Sequence, residues 1–179
     1  LLCLKERFDC AGAFLSNELS QDQIRRIRPP EGFRLHYRLY HPIVLLTSRQ
    51  CLFHQVTGCE KDRVDDTCLR ACDRSASITS TRQTTLLLKK TPGSFASIYH
   101  ETHFLNPTIV AALPDTFSSF LVDLRDIETG TQVDLDKSGV VQLFEQLLER
   151  VQGHAVPSGL GEGPCLPILL RNEVSPGEP

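Results

Sequence analysis

The chain of 179 residues has no methionine, even at position 1, and no tryptophan. A chain that opens on LLCLKERF without an initiator reads as a processed piece or a fragment, expected to need a missing amino-terminal half or a partner subunit. No apolar run approaches the roughly 20 residues that cross a bilayer, and the amino end lacks the long apolar core of an export signal. The expected protein therefore has no membrane span and is cytoplasmic. Strong charge of one sign is also absent. A formal net charge of -3 argues against a broad electrostatic grip on nucleic acid or an anionic membrane, while leaving room for a local basic cluster such as Arg25, Arg26 and Arg28. There is no Gly-x-Ser-x-Gly elbow and no His-Glu-x-x-His helix, so two common hydrolase arrangements are missing.

What is present is the composition of a folded domain, 40% hydrophobic and 23% charged, which makes disorder the wrong starting point. Ala11 to Leu15 is a short apolar run ending in Ser16, Asn17 and Glu18, a strand meeting a polar loop. Ser20 with Gln23 forms a capping box, and Ile24 and Ile27 share a helical face before Pro29 and Pro30. Residues 33 to 39 alternate as a half-buried strand, which Pro42 is expected to break from a second run, Ile43 to Leu46. Residues 77 to 101 suit hairpins, Asn106 and Pro107 suit the start of a short helix over Pro107 to Leu113, and Phe120 to Leu124 suits a second buried strand. Val140, Val141, Phe144, Leu147, Leu148 and Val151 mark one face of a helix over Lys137 to Gln152, with Gly153 as its cap. Alternating strands and helices predict an α/β domain with parallel sheet over residues 1–153, interrupted by a cysteine-rich insertion at 48–75 and followed by an irregular Gly/Pro-rich tail at 154–179.

Four of the seven cysteines fall within that insertion, with seven residues between Cys51 and Cys59, eight between Cys59 and Cys68, and three between Cys68 and Cys72. On a helical turn the last pair shares a face, so both sulfurs can reach one centre. A polar segment with so few apolar residues cannot pin itself by burial, whereas thiolates on a metal would tie it at four points. Disulfides fit poorly with an odd cysteine count and no export signal, and simple core filling fits poorly with so polar a stretch. Zinc ribbons usually carry two close pairs, and only one pair here is close. The irregular spacing favours an iron-sulfur cluster, with zinc as the alternative. Cys3, Cys10 and Cys165 are read as structural.

The ordered blocks FLSNELSQDQIRRI, LHYRLYHPIVLLTSRQCL, the Gly58-Cys59 pair, Cys68-x-x-x-Cys72 and SIYHETHFLNP resemble the collagenase-like peptidase family U-32 over about residues 10 to 150. That resemblance implies a partial TIM-like (β/α) barrel, the carboxyl-terminal half, with an inserted cysteine-bearing loop and β-hairpin region. It also implies a 4Fe-4S cluster on Cys51, Cys59, Cys68 and Cys72. Characterised relatives are similar to oxygen-independent hydroxylases acting on an RNA base, in transfer or ribosomal RNA, or on a quinone-precursor ring, with prephenate as the proposed oxygen donor. RNA or a small aromatic substrate is therefore the expected partner. The acidic run EKDRVDD before the last cysteines departs from the Arg/Asn/Gly-rich run of the RNA-modifying subgroup. Two alternatives stand beside this reading: a collagenase-like peptidase, and a noncatalytic module in which a metal staples a binding loop.

In a parallel barrel the carboxyl ends of strands carry the chemistry. Glu18, Asp123 and Arg125 are accordingly the expected catalytic residues, and Asn17 and Arg49 the expected substrate contacts, an arginine being suited to a two-pronged grip on a carboxylate. Each also has a plain structural role to play as a cap or surface ion pair. His100 and His103 are expected to point to opposite faces of one strand and, like His54, not to ligate metal.

Overall fold

A computed structural model of the chain describes residues 1–61 and 64–153, so the tail expected over residues 154–179, Cys165 included, lies outside the described residues. The helices are α1 (Leu2–Phe8), α2 (Gln21–Arg25), α3 (Leu52–Val56), α4 (Asp66–Ala71), α5 (Thr108–Ala112) and α6 (Lys137–Gly153). The strands are β1 (Gly12–Phe14), β2 (Arg34–Ser48), β3 (Arg74–Thr79), β4 (Thr85–Lys90), β5 (Ala96–Leu105) and β6 (Ser119–Val122). These strands form a mixed six-stranded sheet in the order β1-β2-β5-β4-β3, with β6 also pairing β2, and the sheet does not close into a barrel. The protein is thus α/β. The chain divides into two compact units, one holding Leu1–His41, Phe104–Leu124 and the described residues from Asp134 onward, the other Pro42–His103 and Arg125–Val133.

In the first unit β1 and β6 both run parallel to β2, with Phe14 opposite His36 and Phe120 opposite Tyr37. The step from β1 to β2 passes through α2, whose capping box forms as the sequence predicts: the Ser20 hydroxyl accepts from the Gln23 amide, and the Gln23 side chain accepts from the Ser20 amide at 2.8 Å. Gly12 is required by close approach, since a Cβ there would lie 2.5 Å from the Arg34 carbonyl oxygen. The inward residues of β2 pack with Leu15, Ile24, Ile109, Val110, Leu113, Val140 and Phe144 into one apolar core. Alternation along β2 fails where Leu39 and Tyr40 are both buried, and the register with β6 shifts at the same place, a bulge that turns one extra side chain inward.

Pro42 does not break β2, which runs unbroken from Arg34 to Ser48. The β6 ladder ends at Tyr40, so the missing proline N–H is not needed on that side, and its fixed φ is compatible with extended chain. At the start of α5 the cap is Pro107 itself, one residue later than the sequence suggests. Asn106 instead accepts from the Thr108 hydroxyl at 2.9 Å and donates to the Tyr37 hydroxyl at 3.1 Å.

In the second unit β3, β4 and β5 form the expected antiparallel hairpins, with Leu88 opposite both Ala76 and Ile98. Strand pleating then sorts the faces. Ala76, Leu88, Ala96 and Ile98 lie on one side and pack with Leu52, Phe53 and Cys51 from the cysteine segment. Lys89 and Ser97, paired across β4 and β5, lie on the other.

Candidate functional site

The cysteine segment folds as two short helices. Cys51 caps the amino end of α3, Cys59 lies between α3 and α4, Cys68 is buried within α4, and Cys72 is the C-cap of α4. All four are free thiols, as are Cys3 and Cys10. Between the helices, Asp65 fixes the start of α4: its carboxylate accepts from the Cys68 amide at 2.8 Å and from Lys61 Nζ at 3.2 Å. Those bonds, the one from the Cys68 amide first, hold the Asp65 carboxyl well below the usual carboxylate range, and the same carboxylate raises the Lys61 ammonium.

Four reduced sulfurs in one unit are the donor chemistry of a thiophilic metal. Their arrangement is looser than their chemistry. Among the described residues, no three His, Cys, Asp or Glu side chains are grouped to hold a metal ion. The cysteines thus occupy successive points along α3, the connection and α4 without closing a ligand cage.

The remaining predicted site residues fall into both units. Asn17 acts as a latch in the first: its amide donates to the Arg38 carbonyl oxygen at 3.0 Å, and its side-chain oxygen lies 3.1 Å from His41 Nε2. The His41 ring in turn stacks on Phe104 with centroids 5.1 Å apart. Glu18 is exposed beside it, and its backbone N–H donates to the Ser16 hydroxyl. Asp123 follows β6 and binds back to β2 through its backbone, the N–H donating to the Tyr40 carbonyl at 2.8 Å. Burial first, then the Asp123 charge, pushes the Tyr40 phenol up.

Arg125 and Arg49 belong to the second unit. Arg125 lines a cavity of about 430 Å³, and Arg49 sits over the ring of Phe95, another lining residue, at 5.8 Å from its centroid. The sequence reading missed the strand residues that join them there, Thr47, Lys89 and Ser97, because their common signal is a cross-strand register and not a spacing along the chain.

His100 and His103 both lie on β5 an odd number of residues apart, which turns them to opposite faces. The His100 ring is held locally, with Nδ1 2.9 Å from the Thr102 hydroxyl, while His54 is exposed on α3. Among the described residues no helix is long and apolar enough to cross a membrane. Compared with protein-family models, curated proteins and solved structures, the chain gives no match in any of the three.

Proposed function

We propose that this chain is part of an iron-sulfur protein of the kind its sequence blocks resemble, the U-32 family, in which Cys51, Cys59, Cys68 and Cys72 hold a 4Fe-4S cluster. The activity served would be oxygen-independent hydroxylation of an RNA base or a quinone-precursor ring. The observation that carries the reading is the pairing of four free thiols with a segment poor in burial, where, among the described residues, only Leu52, Phe53 and Cys68 are buried between Cys51 and Cys72. A bound cluster would supply one-electron chemistry, and its assembly would draw α3, the 57–65 connection and α4 together, coupling metal uptake to folding.

The parallel β1-α2-β2 unit suits a piece of a larger barrel, with Asn17 and Glu18 following β1 and Asp123 following β6 at strand carboxyl ends. In this reading the first unit offers the exposed Glu18 as candidate base, Asp123 as a second carboxylate and Asn17 as a residue that positions His41, while Arg125 and Arg49 are candidate anion contacts within the second unit by itself. Neither a serine elbow nor a zinc-protease helix is present in the sequence, which makes a peptidase the weaker of the two enzyme readings.

The test is iron and acid-labile sulfide analysis of protein prepared anaerobically, beside Cys68→Ala and Cys72→Ala. Iron and sulfide in equal amounts, lost in both variants, support the cluster. Zinc without sulfide would convert the segment to a structural staple, and protein that takes up neither after reconstitution would overturn the metal reading altogether.

A further inference from the structure

The cavity in the second unit lies on the sheet face opposite to its apolar packing. Residues paired across neighbouring strands share a face. Ser75 on β3 pairs with Lys89 on β4, Lys89 pairs with Ser97 on β5, and the Ser97 hydroxyl meets that of Thr47 on β2 at 2.9 Å. A polar row therefore crosses four strands. Two residues along β5 from Ser97, Tyr99 lies on the same face and is buried, and Ile127, buried as well, comes from the segment that follows β6. Thr47, Lys89, Ser97, Tyr99, Arg125 and Ile127 are among the residues lining the 430 Å³ space, as are Phe95 and Asp126.

The charge at this place runs against that of the chain. Lys89 and Arg125 face the cavity against the single carboxylate of Asp126, and Arg49 stands over Phe95, whereas the whole chain carries a net charge of -3. The Lys89 ammonium is positioned by the Asp126 carbonyl oxygen, which accepts from Nζ at 2.9 Å. An ammonium has three donors, so that anchor leaves it able to bind a further acceptor. Beside it, Thr47 and Ser97 share one hydrogen bond between two hydroxyls, each of which can turn its proton or its lone pairs to a ligand. Cations and hydroxyl donors over an apolar floor are the makings of an oxyanion site with room for a body behind the charge.

We propose that this cavity binds a small oxyanion, a phosphate or a carboxylate carried on a compact apolar group. Lys89 and Arg125 contact the anion, Thr47 and Ser97 supply neutral donors, and Tyr99 and Ile127 receive the apolar body. None of the four cysteines lines the cavity, so its test does not depend on a metal, although Arg125 is shared with the anion contacts of the proposed function.

The probes are inorganic phosphate, phenyl phosphate and benzoate, titrated into the full chain and followed by the backbone amide NMR shifts of Thr47 and Ser97. Binding is expected in the millimolar range for phosphate, on the order of 1 mM, and tighter for whichever ringed probe carries the correct anion, which decides between phosphate and carboxylate. Lys89→Gln and Arg125→Gln should each weaken that probe about tenfold, the loss of one charge-assisted hydrogen bond. Thr47→Ala, at an exposed position, should weaken it several-fold and keeps the test open if a charge variant fails to fold. Arg82→Gln, in the β3–β4 turn, should leave affinity unchanged. Absence of shifts at Thr47 and Ser97 with all three probes overturns the proposal. So does an Arg82→Gln effect as large as that of Lys89→Gln, which would mark diffuse charge attraction.

Discussion

The two units solve the same problem with unequal means. In the first, a parallel β1-β2-β6 sheet is packed through one continuous core in which Ile24, Tyr37, Leu39 and Ile109 are almost wholly removed from water. In the second, the antiparallel hairpins and two short helices gather Leu52, Phe53, Leu88 and Ala96 into a smaller buried cluster, with Cys68, Tyr99 and Ile127 buried outside it. Val44, Leu45 and Leu46 on its part of β2 remain about half exposed, at 44%, 51% and 48%. The first unit has the larger apolar core, whereas the second carries the four clustered thiols and the charged cavity, the features through which a bound group can add stability.

If that contrast is right, its largest expression is the response to metal. Iron and sulfide reconstitution should raise amide-exchange protection in α3, α4 and β4 by several kcal/mol, on the order seen for structural metals, and leave β1, α2 and β6 unchanged. Uniform protection, or none, would erase the distinction. Next in size is core truncation. Leu39→Ala should cost about 2–5 kcal/mol in urea unfolding, while Leu88→Ala should fall near about 2 kcal/mol because its thinner surroundings can close over the gap. Equal losses would mean that the second core is better packed than its few members suggest.

Smaller is the cap of α2. Ser20→Ala removes an acceptor that the Gln23 amide uses, and should cost about 1 kcal/mol. Smallest is a pH effect confined to α4. The Asp65 carboxyl is held below its ordinary range in the folded chain, so its capping contribution is fully present above the unfolded value, near pH 4, and is lost as pH falls through the lower folded one. Protection of the Cys68 amide, its exchange measured against the unstructured rate at the same pH, should therefore fall in acid below about pH 4, and Asp65→Asn, which keeps an acceptor but no titration, should flatten that dependence.

Much of the local structure was legible before any coordinates. The Ser20–Gln23 box, the hairpins and the long amphipathic helix follow from patterns that act within a few residues, and such patterns survive into the fold; the strand expected at 120–124 is there as Ser119–Val122, but exposed or half-buried and not the buried strand its apolar run suggested. Pro42 misled because its local rule concerns a missing donor, and only the strand pairing around it shows that the donor is not needed on the β6 side. Asn17 and Asp123 were legible as strand-end polar residues, but their roles as a latch on His41 and as the charge beside Tyr40 depend on partners distant in sequence.

The sequence by itself determined the α2 cap, the hairpins, the α6 helix, where the thiols cluster and which polar residues stand at strand ends, since these depend on periodicity, caps and neighbours in the chain, but not α1, α3 or the run of β2 through Pro42. Tertiary structure alone decided that the sheet is mixed and open, that the cysteines line two helices without closing a cage among the described residues, and that Thr47, Ser97, Lys89 and Ser75 form one row. The physical reason is register: shifting one strand by a single residue would turn Lys89 to the opposite face, and no local preference in its own segment distinguishes the two.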